Sequence, residues 1–137
     1  MSDAKVDLRV RTKEFALRVI RMYSALPKTT EAQVLGKQVL RSGTSVGANY
    51  RACCNARSRI EFIAKLGVVV EETDESVYWL EVLASRTVSQ PGEVAPVLTE
   101  ARELRAIFAK ALGTARTNFK MTKSQNQITK RPNDQIE

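Results

Sequence analysis

Two sets of polar residues recur at helical spacing, and their side chains are of types that could do chemistry. The sets follow the spacings i, i+3, i+7 and i, i+4, i+7: Ser42, Ser45 and Asn49, and Glu71, Glu75 and Tyr78. An amide both donates and accepts hydrogen bonds, and a carboxylate accepts them from hydroxyl or guanidinium groups, so two such stripes on facing helices can satisfy each other. We therefore expect a structural polar layer that fixes the register of the helices.

Two functional interpretations of the same residues stay open. Arg41, Asn49 and Arg51 could form a site for an anion or another ligand. Glu71 and Glu75 could act as paired carboxylates in acid–base catalysis. Carboxylates one helical turn apart are common, however, and nothing near them in the sequence supplies a partner acid, a metal ligand or a substrate pocket. The structural layer is therefore the leading interpretation.

The chain contains no histidine, which removes several classes of enzyme. Without imidazole there is no Ser-His-Asp or Cys-His catalysis, no Cys/His zinc site and no di-iron site built on Glu-x-x-His pairs. The two cysteines, Cys53 and Cys54, are adjacent, and neighbouring helical residues do not readily reach disulfide geometry. We expect two reduced thiols, no metal, no cofactor and no enzymatic activity.

Basic residues are concentrated in the first part of the chain. The whole sequence has 22 Lys and Arg against 15 Asp and Glu, a net charge of +7. Residues 1–57 hold 11 basic and 4 acidic residues, whereas residues 58–90 hold 3 and 6. A basic surface of this kind favours binding of RNA or DNA phosphates, with an affinity that falls as salt rises. The candidate residues are Arg11, Lys13, Arg18, Arg21, Lys37, Arg41, Arg51 and Arg57.

The same charge has a second interpretation. The basic residues could be solvated helix faces, some of them paired with the acidic third helix of a neighbouring subunit. No RNA-binding signature accompanies them, such as the aromatic pattern of an RRM or the Gly-x-x-Gly loop of a KH domain. Nucleic acid and a partner protein are therefore both candidate partners.

Apolar residues at helical spacing predict four amphipathic helices and no strand. The predicted helices cover residues 13–25, 30–55, 58–87 and 93–119. An N-cap at Thr12 and capping boxes at residues 30–33 and 58–61 mark the first three starts. Three short connections favour an antiparallel up-down-up-down bundle over residues 11–119. Residues 1–10 are predicted to be a polar lead-in, and residues 120–137 a disordered, polar and basic tail.

The segment 42–47 has poor helix propensity but is predicted to be helical, because the apolar phase on either side of it is compatible with one helix. Gly36, Gly43 and Gly47 would then lie near one face and allow another backbone to approach closely. A break at Gly43 is the alternative, since glycine is unfavourable inside helices.

No segment is suited to a membrane or to export. The first seven residues lack the apolar stretch of a signal peptide. The strongest apolar run, residues 63–70, is interrupted by Lys65 and is shorter than the roughly 20 residues needed to cross a bilayer. We expect a soluble cytoplasmic protein without a membrane partner.

Five motifs in a fixed order carry a family resemblance. They are Asp7-Leu8 with Arg11-Thr12-x-x-Phe15-Ala16, the segment Leu40-Arg41-Ser42-Gly43-Thr44-Ser45-Val46-Gly47-Ala48-Asn49-Tyr50-Arg51, Ser58-x-x-Glu61-Phe62-Ile63-x-Lys65-Leu66, Glu71-x-x-x-Glu75-Ser76-x-Tyr78-Trp79-Leu80, and Glu100-Ala101-x-Glu103-Leu104. Over residues 7–119 the chain resembles the four-helix-bundle proteins encoded within intervening sequences of bacterial 23S ribosomal RNA genes. Many relatives carry an acidic residue just after the second motif, where this chain has Ala-Cys-Cys at residues 52–54, so no role is carried over for that acid.

The resemblance implies a left-handed four-helix bundle that assembles as a homopentamer, and a helical segment 42–47. A related group, the accessory proteins of diversity-generating retroelements, is similar in fold, and its basic pentameric barrels bind nucleic acid and a reverse transcriptase. The resemblance implies no established enzyme activity. We therefore expect a non-enzymatic homo-oligomer that binds RNA or DNA through its basic first helical hairpin. The alternative is a protein-interaction scaffold whose charge polarity serves self-assembly.

Overall fold

Four helices make up the part of the chain that the computed structural model describes, which is residues 7–85 and 91–136 for the backbone and residues 7–85 and 94–126 for the side chains. The helices are α1 (Leu8–Ala25), α2 (Thr30–Cys54), α3 (Arg59–Leu83) and α4 (Pro91–Ile136). No strand occurs in these ranges. Helices α1 and α3 each pack against both α2 and α4. The predicted all-α, four-helix fold is confirmed.

Helix α1 begins earlier than the sequence predicts. The Asp7 side chain accepts a hydrogen bond from the Arg9 amide at 2.9 Å and so caps the helix, which satisfies one of the backbone donors left open at a helix start. Thr12, the predicted N-cap, is fully buried inside the helix, and its hydroxyl donates to the Leu8 carbonyl at 2.7 Å. The predicted polar lead-in is therefore wrong from residue 8 onward, and its first six residues lie outside the described part of the chain.

Side-chain caps also start α2 and α3. Thr29, one residue before the predicted start, accepts a hydrogen bond from the Ala32 amide at 3.2 Å. Ser58 accepts one from the Glu61 amide at 3.0 Å, and the Glu61 carboxylate accepts one from the Arg57 amide at 2.8 Å. The predicted capping sequence before α3 is confirmed, with its carboxylate reaching one residue further back than in the standard box.

The glycine-rich stretch of α2 is continuous helix, so the alternative of a break at Gly43 is excluded. A Cβ added at Gly43 would lie 2.9 Å from a methyl carbon of Val19, and one at Gly47 would lie 3.1 Å from the Thr12 hydroxyl oxygen. A Cβ added at Gly36 would lie 2.5 Å from a methyl carbon of Leu26, which follows α1. The three glycines therefore let α1 pack closely against α2, as the sequence predicts.

Buried apolar side chains from all four helices form one core. Burying a large aliphatic or aromatic side chain contributes about 1.5–3 kcal/mol. The largest fully buried members are Phe15, Phe108, Met22, Leu66, Leu80, Leu83 and Leu104. Across the described residues, no helix has the length and apolar character needed to cross a membrane.

The last two helices end at positions different from those predicted. Helix α3 ends at Leu83 instead of residue 87, and residues 86–90 lie outside the described part of the chain. Helix α4 runs from Pro91 to Ile136, so helix replaces the predicted disordered tail over residues 120–136. No glycine or proline interrupts the chain between residues 114 and 131, and its backbone therefore contains no strong helix breaker where the tail was expected to begin.

Candidate nucleic-acid interface

Arg11 joins α1 to α4. Its Nε and Nη2 atoms donate to the two carboxylate oxygens of Glu100, both at 2.8 Å, and Nη2 also donates to Glu103 at 2.8 Å. The hydrogen bonds with Glu100 raise the pKa of Arg11, and the exposed fractions of the Arg11 and Glu100 side chains are only 21% and 14%. A bidentate, partly buried pair of this kind is a structural clamp. Arg11 was predicted to contact nucleic acid, but its Nε and Nη2 atoms already donate to carboxylates.

Arg41 is engaged in the same way between α2 and α3. Its guanidinium forms ion pairs with Glu75 and, at 3.5 Å, with Glu72. The Trp79 indole N–H also donates to Glu75, at 3.2 Å. Hydrogen bonding to Glu75 raises the pKa of Arg41, and the bonds from Arg41 and Trp79 lower the pKa of Glu75. The predicted anion site at Arg41 therefore has its cation neutralised by two carboxylates.

Of the six remaining candidate residues, one is hydrogen-bonded within the protein and five are accessible to a ligand. Arg18 is half-buried and donates to the Pro96 carbonyl at 3.1 Å. The other five are exposed, and among the described residues no carboxylate lies within 4.0 Å of their charged groups. They are Lys13, Arg21, Lys37, Arg51 and Arg57. We call these five residues the hairpin cations.

Two of the hairpin cations share a groove between α1 and α2. Lys13 and Arg51 line this groove, which has a volume of about 800 Å³, together with Arg9 and the hydroxyl-bearing Thr44. Gly47 also lines it, on the close contact between the helices. Asp7 and Glu14 line the same groove, and Asp7 pairs with Arg9 at 3.5 Å. Lys13 and Arg51 are therefore the two cations of this groove that remain available to a phosphate group.

A buried polar contact joins α2 to α3, although it differs from the predicted layer. The hydroxyl oxygens of Ser42 and Ser76 lie 2.9 Å apart in a hydrogen bond, and both side chains are fully buried. Ser76 Oγ also lies 2.9 Å from the Glu72 carbonyl oxygen. These contacts satisfy the buried hydroxyls without water or ligand. They support a structural role for the contact, and they involve Ser76, which the predicted layer lacks.

The structure disperses the other predicted members of the layer. Asn49 Nδ2 donates to the Ser45 carbonyl at 2.8 Å, and the Ser45 hydroxyl donates to the Arg41 carbonyl at 2.7 Å, so both are satisfied within α2. Glu71 and Tyr78 are exposed. They lie seven residues apart on the solvent side of α3. Glu75, one turn after Glu71, is half-buried and bound to Arg41 instead.

One signal in the sequence could have identified the polar residues that the prediction missed. The buried stripe of α3 runs through Val69, Thr73, Ser76 and Leu80 at the spacing i, i+4, i+7, i+11. Two of its members carry hydroxyls within an otherwise apolar stripe. Thr73 satisfies its own hydroxyl by donating to the Val69 carbonyl at 2.6 Å. Polar residues that point into the core are therefore predicted better by their helical spacing from buried apolar residues than by the spacing of polar residues alone.

The two cysteines lie in different environments. Cys53 is buried and its thiol lies 3.6 Å from the Phe62 carbonyl oxygen, whereas Cys54 is exposed. Burial, together with the neighbouring Cys54, raises the pKa of Cys53 to about 11. The thiol of Cys53 is therefore protonated at neutral pH, which disfavours nucleophilic chemistry. Within the described residues there is also no cluster of three or more metal-ligating side chains.

Comparison with known proteins gives one family. Residues 5–110 match the model of the 23S rRNA-intervening sequence protein family. A crystal structure of a protein of unknown function from the S23 ribosomal protein family of Bacteroides thetaiotaomicron is 32% identical, covers 77% of this chain and 98% of its own, and superimposes with a TM-score of 0.68. Comparison with curated proteins gave no significant match. The family match spans most of the sequence and agrees with the four-helix fold, and the chain therefore belongs to the 23S rRNA-intervening sequence protein family.

Proposed function

We propose that this chain is a non-enzymatic, cytoplasmic protein that binds RNA or DNA through the hairpin cations. The distribution of ion pairs on its surface supports this function. Arg11, Arg18 and Arg41 are bound by oxygen atoms of the protein itself, whereas the five hairpin cations have no carboxylate within 4.0 Å among the described residues. Exposed cations without intramolecular partners are those that can release counterions when they contact phosphates.

The family name is consistent with this proposal. The model that matches the chain is named for proteins of 23S rRNA intervening sequences, and the similar crystal structure is named for a ribosomal protein family. Both names concern RNA-associated genes or proteins. They support nucleic acid as the first ligand class to test.

A salt-dependent titration tests nucleic-acid binding directly. Fluorescently labelled 23S RNA fragment and a random-sequence DNA duplex are titrated with the protein at several salt concentrations. We expect binding that weakens steeply with salt and differs little between sequences, because phosphate contacts carry no sequence information. Absence of binding below the high-micromolar range at low salt would contradict the proposal.

A pair of charge-matched variants tests which cations bind. The first variant, Lys13→Gln/Lys37→Gln/Arg51→Gln, removes three hairpin cations. We expect it to weaken duplex binding and to lower the slope of log K against log salt by about one unit for each cation that contacts a phosphate. Equal binding by the variant and the wild type would exclude these cations from the interface.

The control variant, Lys65→Gln/Arg102→Gln/Arg105→Gln, also removes three positive charges. Lys65 is a half-buried residue of α3 that does not line the groove. The side chains of Arg102 and Arg105 are 51% and 40% exposed and pair with carboxylates at 3.0 Å. Exposed pairs of this kind contribute about 0–1 kcal/mol to stability, so the variant should fold. Binding that falls equally in both variants would indicate a response to net charge alone.

We further propose that the helices form an antiparallel up-down-up-down left-handed bundle. Contacts between α2 and α3 support this order, because Ser42 meets Ser76 whereas Cys53, further along α2, meets Phe62, nearer the start of α3. The α1 and α4 contacts follow the same trend. Arg11 meets Glu100 and Glu103, and the later Arg18 meets the earlier Pro96.

The working unit is proposed to be a homopentamer, with lateral contacts through the outside of α3, away from the groove that holds Lys13 and Arg51. Val68 and Tyr78 are 38% and 55% exposed and lie on the outer side of α3 at the spacing i, i+10. Apolar side chains grouped on an outer helix face are typical of protein-binding surfaces. Light scattering should give about five times the monomer mass of 15.3 kDa, and the monomer mass would contradict assembly.

The same apolar face favours a second function, that of a protein-interaction scaffold. In that case the oligomer docks a partner protein, and the charge serves assembly. Affinity capture followed by nuclease treatment separates the two functions. Partners that are all lost on nuclease treatment would contradict the scaffold function, because a direct protein contact does not require nucleic acid.

A further inference from the structure

The distal half of α4 carries a second basic surface, which spans the predicted boundary between the bundle and the tail at residue 119. Residues 104–126 contain five basic residues and no acidic residue. Three of them, Arg116, Lys120 and Lys123, follow the spacing i, i+4, i+7 and therefore share one helix face. The three positions span about 10 Å along the helix axis at 1.5 Å per residue. We call these three residues the arm cations.

This part of α4 extends past the packed core. Among the described side chains of α4, Leu112 is the last buried one and Phe119 is half-buried, whereas every residue from Lys120 to Asn126 is exposed. Isolated helices in water are marginally stable, and like charges four residues apart, as at Arg116 and Lys120, destabilise them further. A bound polyanion would remove that repulsion.

The arm cations are not bound by carboxylates. Within the described residues, no carboxylate lies within 4.0 Å of them, in contrast to Arg102 and Arg105 earlier on α4, which pair with Glu81 and Asp74 at 3.0 Å. Lys123 lies over the Phe119 ring at 5.8 Å from its centroid. The arm cations are therefore available to a ligand of opposite charge.

An apolar groove lies directly beside the arm cations. Ile60 and Ile63 of α3 and Phe119 of α4 line it, and Arg116 and Lys120 stand with them, around a volume of about 430 Å³. Ile60 is 66% exposed. Duplex nucleic acid presents phosphates outward and stacks its bases inside, so it would make use of the cations but leave this apolar surface in water. An unpaired strand can place phosphates on the cations and a base against the aromatic ring.

From this juxtaposition we propose that the distal part of α4 binds single-stranded nucleic acid, with phosphates on the arm cations and a base against Phe119. The inference rests on the proposed nucleic-acid function and adds to it a strand type and a second surface. The hairpin cations bind duplex phosphates, and the arm binds an unpaired segment. The protein would then recognise nucleic acid that carries both, such as a stem with an unpaired extension.

The test uses the full chain and two fluorescein-labelled probes, an oligo(dT) single strand and a random-sequence DNA duplex. Removal of the arm cations in Arg116→Gln/Lys120→Gln/Lys123→Gln should weaken single-strand binding at least about tenfold at low salt and leave duplex binding nearly unchanged. The charge-matched control is again the variant with glutamine at positions 65, 102 and 105. Unchanged single-strand binding in the arm variant would overturn the inference.

A second variant, Phe119→Leu, separates stacking from charge. Loss of one stacked base should weaken single-strand binding by about fivefold to 100-fold, while the slope against salt stays unchanged because no charge is removed. Circular dichroism melting checks that the variant remains folded. Single-strand binding equal to that of the wild type would overturn the placement of a base on Phe119.

The outcomes with the two sets of variants distinguish failure of this inference from failure of the proposed function. If loss of the hairpin cations abolishes binding of both probes and loss of the arm cations affects neither, the inference is wrong and the proposed function stands. If only the arm variant loses binding, for both probes, the hairpin interface is wrong. If the wild type binds neither probe, both proposals are wrong.

Discussion

Replacing Gly43 with alanine will destabilise the protein, although alanine is the better helix former. Alanine in place of glycine inside a helix contributes about 1 kcal/mol by intrinsic propensity. At Gly43, however, the added Cβ would lie 2.9 Å from a methyl carbon of Val19, whose side chain is β-branched and fully buried. Such a side chain has few alternative rotamers, so the contact must be relieved by backbone movement.

The size of the effect follows from two opposing contributions. Overpacking of a well-packed core costs about 1–3 kcal/mol, which exceeds the propensity gain. We therefore expect Gly43→Ala to be about 1 kcal/mol less stable than the wild type. Gly67, in α3, is the matched control, because no atom lies within 4 Å of a Cβ added there. Gly67→Ala should be stabilised by about 1 kcal/mol, which separates the two variants by about 2 kcal/mol.

Urea denaturation followed by far-UV circular dichroism measures both variants. The slope of the unfolding free energy against urea should be the same in all proteins, so that midpoint shifts report stability. A double-mutant cycle isolates the contact, because in a Val19→Ala background the penalty of Gly43→Ala should disappear and become a gain. Equal stability of Gly43→Ala and Gly67→Ala would refute the conclusion that glycine is required for close approach of α1 to α2.

Three further predictions concern the ion pairs and the thiols. Arg11→Ala leaves the partly buried carboxylate of Glu100 without its partner and should destabilise the protein by about 2 kcal/mol in urea denaturation. Arg9→Ala removes an exposed pair and should change stability by less than about 0.5 kcal/mol, so equal effects of the two variants would contradict the structural role of Arg11. The lowered pKa of Glu75 gives a stabilising contribution that is present above the ordinary pKa of a glutamate, about 4.3, and is lost as the pH falls through the lowered pKa. Glu75→Gln should therefore flatten the acid side of the stability profile, and an unchanged profile would contradict this contribution. At pH 8 a thiol reagent should modify the exposed Cys54 quickly and Cys53 only on unfolding, because Cys53 is buried and its pKa is raised to about 11. Cys54→Ser should remove the fast phase of modification, and a fast phase that persists would contradict this assignment.

Local chemistry explains how well the helices could be predicted. Thr29 and Ser58 lie within one residue of predicted starts because capping depends on a few neighbouring residues. The start of α1 was misplaced because Asp7 and Thr12 both have side chains that can cap a helix, and only packing shows that Thr12 is buried against Gly47. The end of α4 was misplaced because a polar composition suits an exposed helix as well as a disordered tail.

Prediction of the candidate site was limited by a different physical reason. The sequence gives the number of positive charges but not their distances from carboxylates. Arg11 and Lys13 are two residues apart, yet one is clamped by Glu100 and the other faces an open groove. Neutralisation depends on long-range contacts that no local pattern encodes, because the partners are separated by 89 residues along the chain.

The sequence by itself therefore determined the helical fold class, the family and the exclusion of histidine-based catalysis, because periodicity, motif order and composition are properties of the chain alone. Only the tertiary structure decided which cations are available. Packing of α4 against α1 and of α3 against α2 places carboxylates on Arg11 and Arg41, and the extension of α4 past the core leaves Arg116, Lys120 and Lys123 exposed. An ion pair requires two side chains within a few ångströms, and folding sets that distance.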